Sequence, residues 1–275
     1  MPKVLTEAQV KTFYDEGYCG PVAVVSPETM KACRDRLESF EREHPDLRKK
    51  LYQGPNLLFS WLYDLTREPR LAGIASDLLG ANVFCSTTAF RIKEPGDEAY
   101  IAWHQDGFYV DYKPIWATSI LAFTDQTPLH GCVQVVPGSH KWGLLDHEET
   151  YDGKNILTRG QRITTPFDTT KAIHLQPKAG ELVVFHHLTI HGSQPNRSQE
   201  RRINFLIDLL PTNAKREGSR ESATLIAGVD MHNHFDHEPR PPEDLNAAIE
   251  RQRQVLINRN EKSYAGSKHV SPVLQ

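Results

Sequence analysis

The pattern of apolar residues changes near residue 80, and this change restricts the fold more than any other feature of the sequence. Before it, apolar side chains recur at three- and four-residue spacing, which is typical of amphipathic helices. After it come short segments that are rich in β-branched and aromatic residues and bounded by Gly, Pro or Asp, which is typical of strands. A parallel βαβ fold would alternate the two kinds of segment. The order therefore favours an α+β or mainly β fold, with a helical layer packed on a β core.

Local start and stop signals define the predicted elements. Thr6, with Gln9 three residues later, forms a possible capping box, and Pro27 follows Ser26 at a second helix start. Helices are predicted at residues 6–17, from Ser26 onward, at 69–80 and at 242–257. Strands are predicted at residues 83–92, 116–123, 133–136, 181–185 and 202–210. Residues 144–170 are interpreted as a polar insertion over a site, and residues 211–243 as irregular.

Composition excludes several classes of protein. The chain has 275 residues, a net charge of −3 and a pI near 6.5, so we expect neither the basic surface of a nucleic-acid-binding protein nor a disordered chain. No apolar run approaches the ~18 residues of a membrane span, and no signal peptide is recognisable. The four cysteines lie far apart, so neither a thiolate zinc site nor a disulfide framework is indicated. We therefore expect a cytoplasmic protein. No pattern indicates an oligomeric state.

The segment Ile101-Ala102-Trp103-His104-Gln105-Asp106 contains the most informative pair of polar residues. In a strand, residues two apart share a face, so His104 and Asp106 would project in the same direction. An imidazole and a carboxylate on one face supply two ligands of the two-histidine, one-carboxylate triad of non-haem iron oxygenases. Short His-Asp pairs are common, however, and this pair alone is weak evidence for a metal site.

Two further motifs follow in order and make the pattern specific. Trp103-His104-Gln105-Asp106 is followed by Pro137-Gly138-Ser139-His140, and then by His191-Gly192-Ser193 with Asn196, Ser198 and Arg202. In this order the motifs resemble those of the phytanoyl-CoA dioxygenase family of iron- and 2-oxoglutarate-dependent oxygenases. The resemblance spans roughly residues 91–210, and the helical N-terminal part also fits.

The resemblance implies a double-stranded β-helix, a jelly-roll barrel with the metal inside one mouth. It implies one oxygenase domain over residues 1–275, with a helical layer at 1–80, the jelly-roll core at 81–210, and a C-terminal loop and helix at 211–275. By the same analogy His104, Asp106 and His191 bind Fe(II). An arginine eleven residues after the second histidine, Arg202, binds the far carboxylate of 2-oxoglutarate, and the Ser193 hydroxyl could add a hydrogen bond.

Arg201 is the alternative to Arg202 as the residue that binds the 2-oxoglutarate carboxylate. Neighbours on a strand point to opposite faces, so only one of the two can face the site. Arg201 is in phase with an apolar row formed by Ile203, Phe205, Ile207 and Leu209. Arg202 is in phase with Asn204 and Asp208. A barrel interior that holds a dicarboxylate suits the more polar row, so Arg202 is preferred.

The implied reaction consumes 2-oxoglutarate and O2, releases succinate and CO2, and hydroxylates a C–H bond of a small molecule. A small polar metabolite or a natural-product intermediate is the expected substrate. Phe108, Tyr109 and Tyr112 follow the metal motif and are interpreted either as pocket walls or as core. Asp106 argues against a halogenase, which would replace this ligand by chloride. Two alternatives remain: a metal-binding jelly roll without 2-oxoglutarate-dependent activity, and a non-catalytic binding module.

Other polar residues have structural interpretations. Arg91 and Lys93 are expected on a solvated strand face, and His140 is expected to be structural. His232, His234 and His237 have a spacing that could bind a metal ion, but no nearby segment supplies a further ligand, which favours a solvated loop or a lid.

Overall fold

The computed structural model describes residues 3–216, 220–263 and 267. The α-helices are α1 (Glu7–Glu16), α2 (Pro27–Glu43), α3 (Ser60–Thr66), α4 (Pro69–Leu79) and α5 (Leu245–Ser263). The strands are β1 (Tyr18–Ala23), β2 (Val83–Lys93), β3 (Ile101–His104), β4 (Ala117–Ala122), β5 (Val133–Val135), β6 (His147–Glu148), β7 (Arg162–Ile163), β8 (Ile173–His174), β9 (Glu181–His186), β10 (His191–Ser193), β11 (Arg202–Pro211), β12 (Glu221–Ala227) and β13 (Phe235–His237).

The helix boundaries follow from local capping. Thr6 accepts a hydrogen bond from the backbone N–H of Gln9, whose side chain in turn accepts from the N–H of Thr6. Gly17 ends α1 in the left-handed conformation, with φ of 82°. Ser26 caps α2 by accepting from the N–H of Thr29 at 3.2 Å. The predicted caps at both helix starts are therefore confirmed.

Two facing sheets form the double-stranded β-helix. The larger sheet has the strand order β1-β9-β4-β11-β2-β12-β13, and the smaller has the order β3-β10-β5-β8. Ile120 and Val183 from the larger sheet pack against Val133 and Val135 from the smaller one. The predicted fold class is confirmed, and the five predicted strands agree with β2, β4, β5, β9 and β11 to within a residue.

Strand β11 separates the helical layer from the barrel interior. Its apolar row, which includes Phe205 and Ile207, packs in one cluster with Met30 of α2 and Leu71 of α4. The alternate row, which includes Asn204 and Asp208, therefore faces the interior and lines its cavity. The predicted division of β11 into an apolar and a polar face is confirmed.

The larger sheet extends beyond the segment in which strands were predicted. Within the N-terminal helical part, β1 pairs with β9, and in the segment expected to be irregular β12 pairs with β2 and β13 with β12. The prediction that residues 211–243 are irregular is therefore wrong. These strands lie at the sheet margins, and β1 contains Gly20 and Pro21, so local propensity did not mark them; backbone pairing with an existing strand forms them.

The only strands in the polar segment at residues 144–170 are the short β6–β7 pair. Leu157 and Thr158 of this segment lie against the interior cavity. All four cysteines are free thiols. Among the described residues, no helix has both the length and the apolar character needed to cross a membrane.

Candidate metal centre

His104, Asp106 and His191 converge at one mouth of the barrel. His104 ends β3, His191 begins β10, and the two are directly paired across these antiparallel strands. Their imidazole centroids lie 4.0 Å apart. One ligand atom from each of the three residues lies within 4.8 Å of the others. Asp106 was expected on the same strand as His104, but β3 ends at His104 and Asp106 begins a single 3-10 turn that aims its carboxylate back at the histidines.

The backbone fixes which nitrogen of each histidine faces the centre. Nδ1 of His104 lies 2.9 Å from the carbonyl oxygen of Ala102, and Nδ1 of His191 lies 3.0 Å from that of Thr189. A carbonyl can only accept, so each Nδ1 carries a proton, and in the neutral tautomer each Nε2 presents its lone pair. The two Nε2 atoms lie 3.4 and 3.6 Å from the Asp106 carboxylate oxygens. These are the protonation states that a metal ion requires of its imidazole ligands.

Burial and neighbouring charges set the protonation of His191 and Asp106. Burial, reinforced by the neighbouring His104, lowers the pKa of His191 to about 4, so this ring is neutral at pH 7. Burial alone would raise the pKa of Asp106, but His191, His104 and the Thr118 hydroxyl together hold it below its usual range. Thr118 Oγ1 donates to Asp106 Oδ2 at 2.5 Å and orients that carboxylate.

Two neutral imidazoles and one carboxylate on a single face form the ligand set that non-haem iron enzymes use. A metal ion held by these three side chains would face the cavity that they line. The donor chemistry and the imidazole tautomers therefore fit Fe(II).

A second group of polar side chains lies deeper in the barrel. Arg202 and Lys93 are paired residues of β11 and β2, so their side chains share the inward face, and both are fully buried. The Lys93 Nζ donates to Ser193 Oγ at 2.8 Å and to the carbonyl oxygen of Gln194 at 2.5 Å. No guanidinium nitrogen of Arg202 has a hydrogen-bond partner among the described residues. A buried, unpaired guanidinium is an anion site, and its forked geometry suits a carboxylate.

The expectation of a solvated strand face is wrong for Lys93. Burial, together with the positive charge of Arg202, lowers its pKa to about 6. Arg91 is partly buried and donates to the carbonyl oxygen of Tyr52 at 3.0 Å. The neighbouring Arg201 lies on the other side of β11 and forms ion pairs with Glu38, Glu41 and Glu94.

A cavity of about 190 Å³ opens beside the three metal-ligand candidates. Tyr109 and Tyr112 line it, and the Tyr112 hydroxyl donates to Glu221. Phe108 was expected in the pocket wall but lies outside the lining. The 3-10 turn directs its ring onto His147, with the ring centroids 4.6 Å apart, and the Arg159 guanidinium covers it.

Asp208 also lines this cavity, and its importance was not predicted. It was assigned only to the polar row of β11, and the strand partner that brings it beside the centre, Thr118 of β4, is distant in sequence. Burial and the neighbouring Asp106 carboxylate raise the pKa of Asp208 to about 8. A divalent cation on Asp106 would act in the opposite direction and favour the ionised form.

His140, His234 and His237 contact other parts of the chain. His140 Nε2 contacts the carbonyl oxygen of Tyr14 at 3.1 Å, in keeping with a structural role. His237 contacts Asp230 at 3.0 Å, and His234 contacts the carbonyl oxygen of Ala214. Within the described ranges, His232, His234 and His237 do not gather into a metal-binding group.

The fold and the centre define a class: a jelly-roll protein with a two-histidine, one-carboxylate metal site and a buried cationic site beside it. Residues 13–204 match the family model described as phytanoyl-CoA dioxygenase (PhyH). The chain belongs to this family. Asp208 lies beyond the matched residues.

The chain is also similar to individual relatives, and its fold to that of a solved structure. The chain is 28% identical over 173 residues to a probable alpha-ketoglutarate-dependent hypophosphite dioxygenase of Stutzerimonas stutzeri, covering 61% of this chain and 60% of that protein. It is 28% identical over 231 residues to an L-proline trans-4-hydroxylase of Streptomyces griseoviridis, covering 74% and 85%. The structure superposes on the non-haem monooxygenase ThoJ with a TM-score of 0.84 and 24% identity, covering 94% of this chain and 98% of that one.

Proposed function

We propose that this protein is an Fe(II)- and 2-oxoglutarate-dependent dioxygenase that hydroxylates an unactivated C–H bond of a small molecule. One observation carries the proposal: a pre-formed His104–Asp106–His191 ligand set lies in the same barrel as a buried guanidinium, Arg202, that has no partner among the described residues. A metal-binding barrel of another chemistry has no need for a buried guanidinium that can bind a carboxylate.

Each group has a distinct role in this proposal. His104, Asp106 and His191 hold the iron, and Arg202 pairs with the far carboxylate of 2-oxoglutarate. Ser193, which contacts Lys93, adds a hydroxyl to the same site. Bound iron supplies the oxidation chemistry, in which substrate C–H, 2-oxoglutarate and O2 become substrate C–OH, succinate and CO2. The barrel walls orient the substrate and exclude water.

The substrate is proposed to be a small polar metabolite or a natural-product intermediate, bound in the cavity that Tyr109 and Tyr112 line. The limited cavity volume of about 190 Å³ and its mixture of aromatic, acidic and basic side chains support a compact polar molecule. The names of two relatives, a hypophosphite dioxygenase and an L-proline hydroxylase, are consistent with this substrate range.

Substrate-stimulated succinate release tests the proposal. Protein reconstituted anaerobically with Fe(II) is supplied with 2-oxoglutarate, O2 and a panel of amino acids, small phosphonates and natural-product scaffolds. We expect Asp106→Ala and His191→Ala to abolish succinate release, whereas His232→Ala, at an exposed histidine, retains it. Full turnover by a metal-reconstituted Asp106→Ala protein would contradict the proposal.

Anaerobic calorimetry separates this proposal from a metal-binding jelly roll without 2-oxoglutarate dependence. We expect the Fe(II)-loaded protein to bind 2-oxoglutarate and the Arg202→Met variant to lose that binding. An Fe(II)-loaded wild-type protein that does not bind 2-oxoglutarate would favour the alternative.

A further inference from the structure

Asp208 lies on the inward face of β11, beside the candidate metal centre. It is directly paired with Thr118 of β4 on one side and with Thr87 of β2 on the other. The side chain is partly exposed, and it lines the cavity that also contains His104 and Asp106. Because strands cover both flanks of β11, the exposed part of Asp208 faces this cavity.

The Asp208 carboxylate can accept more hydrogen bonds than its neighbours donate to it. A carboxylate offers about four lone-pair positions, whereas a threonine hydroxyl has a single hydrogen. The hydroxyl of Thr118 lies between the two acids and donates to Asp106 at 2.5 Å. Among the described residues, no lysine, arginine or histidine nitrogen lies within 4.0 Å of the Asp208 carboxylate.

The other acidic side chain that lines the cavity away from the metal centre does have a partner. Glu221 is paired with Arg216 at 3.3 Å and accepts the Tyr112 hydroxyl. A half-buried carboxylate without such a partner is costly unless a ligand supplies a donor. In the metal-loaded protein, where a cation on Asp106 favours the ionised form of Asp208, this is therefore the cavity acid that a donor on the bound molecule would compensate.

The surroundings favour a cationic nitrogen over a neutral hydroxyl as that group. The aromatic residues Tyr109, Tyr112 and Trp116 line the same cavity, and aromatic faces attract ammonium groups. Trp116 lies two residues before Thr118, immediately before β4, so the indole and the acid pair lie at the same end of the barrel. A charge-assisted hydrogen bond to a carboxylate is about twice as strong as a neutral one.

We propose that Asp208 binds a basic nitrogen of the substrate, so that the substrate class is small amines and amino acids oxidised at a carbon a few bonds from that nitrogen. The Thr118 hydroxyl lies between Asp208 and the metal-ligand candidate Asp106, so the carbon that is oxidised would lie only a few bonds from the nitrogen bound to Asp208. The inference rests on the proposed function, since it assumes that the metal and 2-oxoglutarate occupy the barrel as described above.

Paired probes test this recognition without requiring the natural substrate. One set is L-proline, pyrrolidine, N-acetyl-L-proline and cyclopentanecarboxylate; the other is L-leucine, 3-methylbutylamine, N-acetyl-L-leucine and 4-methylpentanoate. Within each set the basic nitrogen is kept, blocked or removed on a similar carbon skeleton. Proton NMR line broadening of each probe by Mn(II), in the complex of the whole protein with Mn(II) and 2-oxoglutarate, reports binding near the metal at up to millimolar concentration.

We expect the proton lines of the probes that keep the basic nitrogen to broaden. The lines of the acetylated and deaminated probes should not broaden. Asp208→Asn should weaken binding of the amine probes at least about tenfold, with Mn(II) and 2-oxoglutarate affinities kept within about threefold. Asp35→Asn, at an exposed acid on α2, should change nothing. Thr118→Val should weaken metal binding but preserve the preference for amines.

Three results would overturn the inference: equal broadening of the deaminated acids, no broadening of any amine, or unchanged amine affinity in Asp208→Asn. An equal loss of amine affinity in Thr118→Val would also overturn it, since Asp208 would then act only through the position of Asp106. Failure of the proposed function looks different, because calorimetry on the wild-type protein would then show no binding of 2-oxoglutarate in the presence of metal.

Discussion

Replacing Arg202 by methionine should stabilise the ligand-free protein while abolishing 2-oxoglutarate binding. The guanidinium is fully buried, none of its nitrogens has a partner among the described residues, and Lys93 lies opposite it in the sheet. Methionine has a similar length, is flexible and carries no charge, so it can fill the space without an unpaired donor. The variant therefore separates the requirement for folding from the requirement for ligand binding.

The pKa of Arg202 indicates how much the Arg202→Met substitution should stabilise the ligand-free protein. Burial lowers it from 12.5 to about 10, which corresponds to roughly 3 kcal/mol of destabilisation of the charged form. Imperfect packing of methionine offsets part of this value, so we expect the free energy of unfolding to rise by about 1–3 kcal/mol. At about 2–4 °C per kcal/mol for a domain of roughly this size, Tm should rise by several degrees.

Thermal and urea unfolding of the metal-loaded protein, with and without 2-oxoglutarate, measure the change in stability and the stabilisation by the ligand. At a ligand concentration a hundred times Kd, the wild-type protein should gain about 2.7 kcal/mol, and Arg202→Met should gain nothing. Arg201→Met is the matched control. It breaks ion pairs with Glu41 and Glu94, so it should destabilise the protein and leave ligand stabilisation intact. A ligand-free Arg202→Met protein that is less stable than wild type by more than about 1 kcal/mol would refute the reasoning.

Three further predictions follow from neighbouring residues. Lys93, whose pKa is about 6, is neutral at pH 7.5, and a bound carboxylate raises that pKa. Binding of 2-oxoglutarate should therefore take up close to one proton and weaken as pH rises above 6. Calorimetry in buffers of different ionisation enthalpy measures the proton uptake, and Lys93→Met should show neither the uptake nor the pH dependence. Thr118→Val should lower Fe(II) affinity about 10–100-fold in equilibrium dialysis, because Asp106 loses its orienting donor. Gly131→Ala should lower Tm, since a Cβ there would meet the Gln194 carbonyl at 2.2 Å and φ is +65°.

Features with local causes were predictable from the sequence. The capping box of Thr6 and Gln9 lies within one turn, and the strands with strong β propensity were found almost to the residue. Strands β1 and β12 were missed because they exist through pairing with β9 and β2, which are distant in the chain. Pairing of this kind leaves little trace in a short stretch of sequence.

The same distinction applies to the site. Ordered motifs identified His104, Asp106 and His191, although the turn that carries Asp106 was expected to be strand. Lys93 and Asp208 were not identified as site residues, because their burial and their facing partners depend on register between strands. A lysine near a strand end is usually solvated, and only the fold shows that this one lies beside Arg202.

The most direct test of the account is an anaerobic titration of the metal-free protein with Fe(II), followed by 2-oxoglutarate, with bound iron and visible absorption both recorded. We expect one Fe(II) per chain, and a new charge-transfer absorption when 2-oxoglutarate is added. Asp106→Ala should lose most of the iron, and Arg202→Met should retain iron without the new absorption. A wild-type protein that binds no iron, or an Asp106→Ala variant that binds it equally well, would contradict the central claim.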